Sequence, residues 1–412
     1  MRAAAEWVAA FVRSSGGSAG LADVGGPNPL VVGEIPASSN AAKAPVVLLY
    51  GHFDVQPEGD LTLWESPPFA PEMRDGWVYG RGTADDKGNL YLLLKAARLL
   101  AEEGMLPVNI RVVCDGEEEI GGDSIVHFIA RDERGADACL IFDGAMARRG
   151  VPTFVVATRG IAYYHVRVRT GERDLHSGVF GGAALNAIHA LAAMLDAVRA
   201  LPEELRKGAI PPTSEELASW AELDPGAKVL AIQGARPVDD QAADELYLRT
   251  CAAPSVDVNG IQGGEPDLQK TVLPVEAHAN VSIRLAPGQN AEEIDRVFQR
   301  LLRAAAPVGA DIEIERWALN SPGRIDPSAP AIRAGLDVFE RVVGTRPLLA
   351  RVGGTLPIIP ALEARGIPTI LSGFDLPDGN VHSPNERLLA EYLPLGVTAV
   401  RETLVALGGL PS

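Results

Sequence analysis

A chain of 412 residues, 47% of them hydrophobic, exceeds the size to which one core usually grows, so two domains are expected. Its formal charge of −17 repels nucleic acid and anionic membrane surfaces and excludes both as partners. Three cysteines, Cys114, Cys139 and Cys251, cannot all pair and show no CxxC spacing, which fits a reducing cytoplasm and no disulfide framework.

The opening "MRAAAEWVAAFVRSSGG" carries Glu6 and Arg13 within an apolar pattern at helical spacing, so it reads as an amphipathic helix rather than a secretory leader. No stretch is long and apolar enough to span a membrane. Apolar runs then alternate with helical patterns: "APVVLLYGHFD", "NLYLLLKAARLLAEEGM", "VNIRVVCDGEEE", "ADACLIFDGA" and "PTFVVAT". Continuous apolar strands separated by helices predict a doubly wound, mainly parallel α/β sheet, whose sites lie at the carboxyl ends of the strands.

The texture changes near Arg159. "IAYYHVRVRT" alternates with period two, setting Tyr164, Val166 and Val168 against His165, Arg167 and Arg169. The helix pattern "ALNAIHALAAMLDAV", a Pro- and Gly-rich middle, the alternating "EAHANVSIRLAPG", the helix "AEEIDRVFQRLLRAAAP" and the strand "ADIEIERWAL" follow. Strand, helix, strand, strand, helix, strand predicts a smaller α+β domain of split βαβ, ferredoxin-like type. From about Asn320 the first texture resumes with "APAIRAGLDVFERVVG" and "IPTILSGF". The expected division is therefore 1–157 and 319–412 for the first domain, with 158–318 inserted.

Strand ends in the first domain deliver His52 and Asp54, Asp115 with Glu117, Glu118 and Glu119, and Asp143; a fourth apolar run is followed by His382. Carboxylates converging on one sheet edge repel each other unless cations lie between them. Histidine and carboxylate donors without thiolate suit zinc, and also cobalt or manganese. Between these motifs, "YGRGTADDKGN" holds Asp85 and Asp86 between glycines at a helix start, where a carboxylate is well placed to bridge two ions. Taken singly, the glycines could form a phosphate loop and "GEEE" a solvated turn. The first lacks the GxxxxGK[ST] order, and the second is outweighed by the convergence.

Together "GHFDVQP", "YGRGTADDKG", "EEIGG", "FDG", "DLHSGVFGG", "SIRLAPGQ", "GGTLPI" and "LPDGNVHSPNE" resemble the dinuclear zinc peptidases of the M20 family, most closely its carnosinase-like, cytosolic non-specific dipeptidase branch. The resemblance implies two Zn2+ per chain, with Mn2+ or Co2+ as substitutes. It implies ligands His52 and Asp143 on one ion, Glu119 and His382 on the other, and Asp85 bridging. Asp54 would orient His52, and Glu118 would be the general base, leaving Glu117 as an extra acid. The resemblance also implies a cis peptide between Asp85 and Asp86. In the inserted domain, which would act as lid and dimerisation domain, His176 would stabilise the oxyanion in the partner subunit's site of a homodimer. Thr271, Arg284 and Thr355 would hold the substrate and its carboxylate. Two departures stand out: the family segment preceding the first amphipathic helix is missing, which implies a truncated or differently chosen start, and "RVGGT" carries Val352 where the family has an acid.

The implied activity is hydrolysis of a dipeptide or short peptide with a free C-terminal carboxylate, by a hydroxide bridging two zincs. Three ligand carboxylates and that hydroxide neutralise the four positive charges. An N-acyl amino acid amidohydrolase is the alternative enzyme, and a non-catalytic binding protein on the same fold is the remote one. His127, His165 and His189 are expected to be structural.

Overall fold

The computed structural model describes residues 1–410; the last two residues of the predicted third segment, Pro411 and Ser412, lie outside the described residues. The main sheet has six strands in the order Ser18–Ala22, Leu30–Ile35, Asn109–Asp115, Val46–His52, Ala138–Phe142 and Thr369–Ser372. The last four are mutually parallel, while the first two form an antiparallel edge. In Val46–His52 every residue after the first is buried. Successive side chains point to opposite faces, so burial of all of them means that both faces are covered. Helices Lys87–Glu102, Tyr392–Leu407 and Pro330–Val343 pack in a row to supply part of that cover.

Two separate cores organise the chain. One joins residues from Ala5 to Val156 with residues from Ile325 to Leu407; the other runs from Ala162 to Leu302. The second core lies under an antiparallel sheet in the order Ser255–Gly263, Glu276–Leu285, Gly160–Arg169, Asp311–Asn320. Tyr164, Val166 and Val168 are fully buried, as are Val281 and Ile283, because helices Ala187–Arg199 and Ala291–Ala304 cover that face. The opposite face carries Tyr163, His165 and the half-exposed Trp317 in a stacked row. Chain order in this domain is strand, helix, strand, strand, helix, strand, with short extra elements between.

The apolar run Thr153–Thr158 is not part of the main sheet. It pairs in parallel with Leu348–Val352 and antiparallel with Gly323–Arg324. The middle segment forms short helices, and one of them, Ser214–Trp220, packs on Leu348–Val352 rather than on the second core. Glu216 of that helix closes a capping box with Thr213 and grips Arg351 at 2.6 and 3.0 Å. The three cysteines are free and buried. Among the described residues no helix is long and apolar enough to cross a membrane.

Candidate metal centre

His52 is the last residue of the central strand Val46–His52, next to Asp115 of the neighbouring strand, and its side chain is fully buried. Two positions on, Asp54 turns back to it, its Oδ1 3.2 Å from His52 Nδ1, while its Oδ2 accepts from the Glu119 backbone N–H at 2.9 Å. One carboxylate therefore orients the imidazole and fixes the backbone of Glu119. The other ring nitrogen, Nε2, lies 2.9 Å from Asp85 Oδ1 and 3.9 Å from Asp143 Oδ1.

Asp85 divides its two oxygens between two groups. Oδ1 meets His52, and Oδ2 lies 2.9 Å from His382 Nε2, which is also 3.3 Å from Glu119 Oε2. His52, Asp85 and Asp143 form one triad of donors, and Asp85, Glu119 and His382 the other, each with its ligand atoms within 4.8 Å of one another. Two imidazoles and three carboxylates around one shared Asp are the donor set that two divalent cations require, and the five side chains fit such a pair. The peptide between Asp85 and Asp86 is cis.

Crowding of acids shows in their proton affinities. Burial first, then the charge of Asp143, pushes the Glu118 carboxyl up to about 8. Burial also raises Asp143, to about 6, with relief from His52 offset by Asp85 and Glu119. His52 rises well above an ordinary imidazole, because Asp54 and Asp85 together outweigh the effect of burial. Hydrogen bonding to Asp85 raises His382 as well. Cations in the two triads would reverse the repulsion that holds protons on Glu118 and Asp143.

The sequence matches the family described as Peptidase family M20/M25/M40 over residues 48–406. The chain belongs to that family. It is 32% identical to a cysteinylglycine-S-conjugate dipeptidase of Corynebacterium striatum, over 83% of this chain and 77% of the relative. It is 27% identical to the Beta-Ala-His dipeptidase of Homo sapiens, over 87% and 74%. Its fold is that of an M20 family metallo-carboxypeptidase from Sulfolobus solfataricus, with a TM-score of 0.85 at 24% identity, covering 98% of this chain and 94% of that one.

Three acids near the centre of this M20 chain have other work. Glu117 is buried and turned away, its Oε1 accepting from Asn28 N–H at 2.8 Å and its Oε2 from Ser124 Oγ at 2.7 Å. Asp86 accepts from the His52 backbone N–H at 3.1 Å. Glu386, fully buried at the end of "HSPNE", has no role evident from sequence, yet its Oε2 pairs with Arg81 Nη1 at 2.7 Å and accepts from Gly82 N–H at 3.0 Å. Its Oε1 accepts from the N–H groups of Ala84 and Asp85 at 2.9 and 3.1 Å. Glu386 thus positions the loop that presents Asp85. Gln56 likewise has a role the sequence does not reveal: its Nε2 donates to Glu119 Oε2 at 2.8 Å. The signal for both was membership in a motif, since only tertiary structure reveals their partners.

The remaining predicted residues fall in two places. Arg284 Nη1 donates to Thr355 Oγ1 at 3.1 Å, which joins the second domain to the "GGT" loop of the first. His176 and Thr271 lie together on a short ribbon, where Leu175–His176 pairs with Val272–Leu273. His176 is exposed there, its Nδ1 accepting from Gly178 N–H at 3.0 Å, and it makes no hydrogen bond with the residues of the two donor triads of its own chain. Val352 is half-buried against the first core, and its carbonyl accepts from the Arg159 N–H.

Proposed function

We propose that this chain is a metal-dependent dipeptidase, which hydrolyses the amide bond preceding a C-terminal residue that bears a free carboxylate. The observation that carries this reading is the division of Asp85 between two donor triads with Glu118 beside them. Held there by His52, Asp85, Asp143, Glu119 and His382, two zinc ions would supply Lewis-acid activation of a water and of the scissile carbonyl; manganese or cobalt suits the same donors. Glu118 takes the proton of the attacking water on its carboxylate and delivers it to the leaving amine. Asp54 keeps the His52 ring in the tautomer that leaves Nε2 free.

Arg284, with its planar fork, and Thr355 receive the substrate carboxylate, and that contact limits substrates to short peptides. His176 and Thr271 act in trans: residues 158–318 serve as lid and as the contact of a homodimer, and His176 donates to the carbonyl oxygen as it gains charge. The relatives' names as dipeptidases support the substrate class. Three unpaired buried thiols support a cytoplasmic setting.

The test is metal analysis of the purified protein, with a dipeptide panel and a panel of acetylated and succinylated amino acids run on the same sample. About two divalent ions per chain and turnover of dipeptides are expected. Turnover of the acylated amino acids alone would replace this reading by an amidohydrolase; metal without turnover of either panel would leave a binding protein.

A further inference from the structure

Arg159 stands where the chain passes from one core to the other, between the strands Thr153–Thr158 and Gly160–Arg169. It is only 8% exposed. Its backbone N–H donates to the carbonyls of Val352 and Gly354 at 3.3 and 3.1 Å, and its Nε donates to the carbonyl of Gly353 at 3.2 Å. One residue thereby holds three successive carbonyls immediately ahead of Thr355. A side chain at Gly353 would not fit, since its Cβ would lie 2.7 Å from the Thr250 carbonyl and 3.3 Å from Arg159 Nη2.

Arg159 also reaches the other domain. Its Nη1 donates to Ser255 Oγ at 3.2 Å, and Ser255 faces Arg284 across the sheet. Arg284 in turn donates to Thr355. The chain of contacts closes on itself: Arg159, the "GGT" loop, Thr355, Arg284, Ser255 and back to Arg159. Burial and then the charge of Arg284 push the Arg159 guanidinium down to about 10. Neither arginine forms an ion pair within 4.0 Å among the described residues, and the one carboxylate whose charge reaches both, Asp257, stands farther off, so the two neighbouring cations are only partly balanced. Buried charge of one sign is costly unless a counter-ion arrives.

We infer that Arg159 is a positioning and specificity residue for the substrate carboxylate: it fixes Thr355 and Arg284 at hydrogen-bonding distance and adds a second positive charge to the wall they form. The inference rests on the reading that Arg284 receives that carboxylate. A bland structural role would be a hinge clamp whose loss harms every substrate alike.

The experiment measures kcat and KM of the metal-loaded, full-length protein on a dipeptide and on its C-terminal amide. It compares the unsubstituted protein with Arg159→Gln, Arg159→Lys, Ser255→Ala and Arg284→Gln. For the free acid, Arg159→Gln is expected to raise KM about tenfold while kcat changes little, and to cut the preference for acid over amide about tenfold. Arg159→Lys restores part of that preference, because charge returns without the fork. Ser255→Ala, which leaves the cation in place, raises KM about twofold to threefold and decides the matter if the Gln variant folds poorly. Equal losses on acid and amide, or an unchanged preference in Arg159→Gln where Arg284→Gln abolishes it, would overturn the inference alone. No preference for the acid in the unsubstituted protein would instead overturn the reading of Arg284 beneath it.

Discussion

The candidate metal centre and the proposed carboxylate wall are built by opposite strategies. At the metal centre three of the five donors are backed by further groups of the same chain: Asp54 behind His52, Gln56 and the Asp54 carboxylate on Glu119, and Glu386 on the Asp85 loop. At the wall the groups come from two domains, meet at a crossing point, and leave His176 and Thr271 on an exposed ribbon. On the function proposed, chemistry would be prepared within one core and recognition assembled where the two cores meet. A group prepared in advance needs no reorganisation at the moment of reaction, whereas a jointed grip can open to release product.

Breaking the rigid side has the largest effect. Glu118→Ala is expected to lower kcat by about 10²- to 10⁴-fold while metal analysis still finds both ions, since Glu118 belongs to neither donor triad. Near-normal turnover would mean that the base lies elsewhere. On the jointed side, His176→Ala should cost about 10²- to 10³-fold. Mixing it with Glu118→Ala should restore part of the activity through hybrid dimers that contain one intact site, and no restoration would count against a shared site.

Glu386→Ala sharpens the contrast from the stability side. It leaves the Arg81 charge buried and strips acceptors from three backbone N–H groups. A loss of about 3 to 5 kcal/mol is expected by denaturant titration, together with weaker metal binding. An equally stable variant with full metal content would deny Glu386 its positioning role.

The smallest effect concerns pH. In metal-free protein the carboxyls of Glu118 and Asp143 are raised to about 8 and about 6, and His52 and His382 are raised too. Each group therefore binds its proton more tightly folded than unfolded, so its contribution to stability is present at low pH and disappears as pH rises through the folded value. Between about pH 6 and 8 the thermal midpoint of metal-free protein should fall, and the increment gained on adding zinc should grow. A midpoint that rises over this range would contradict that account.

Much of the rigid side was legible in the sequence because its donors fall at strand ends, where apolar runs stop at His52, Asp115 and Phe142. What the runs could not convey was which neighbour each strand takes. Thr153–Thr158 reads like a member of the main sheet yet pairs with Leu348–Val352, since burial on both faces is equally available in either sheet. Glu386 and Gln56 were invisible as contributors because their partners are brought near by tertiary folding, about 300 positions away in the case of Glu386. The three-residue strands Glu72–Arg74, Trp77–Tyr79 and Arg387–Leu389 are too short for any periodicity to register. Arg159 marked a change of texture in the sequence, but its grip on the "GGT" loop appears only when both domains are in place.

The ordering of the donors along the chain has a consequence for how the centre comes into being. His52, Asp85, Glu119 and Asp143 all precede the inserted domain, while His382 follows it and sits on a half-exposed residue with φ of 60°. During synthesis the first triad is complete some 240 residues before the second can be. The second triad therefore exists only once the strand Thr369–Ser372 and the loop after it have joined the sheet begun by the first segment.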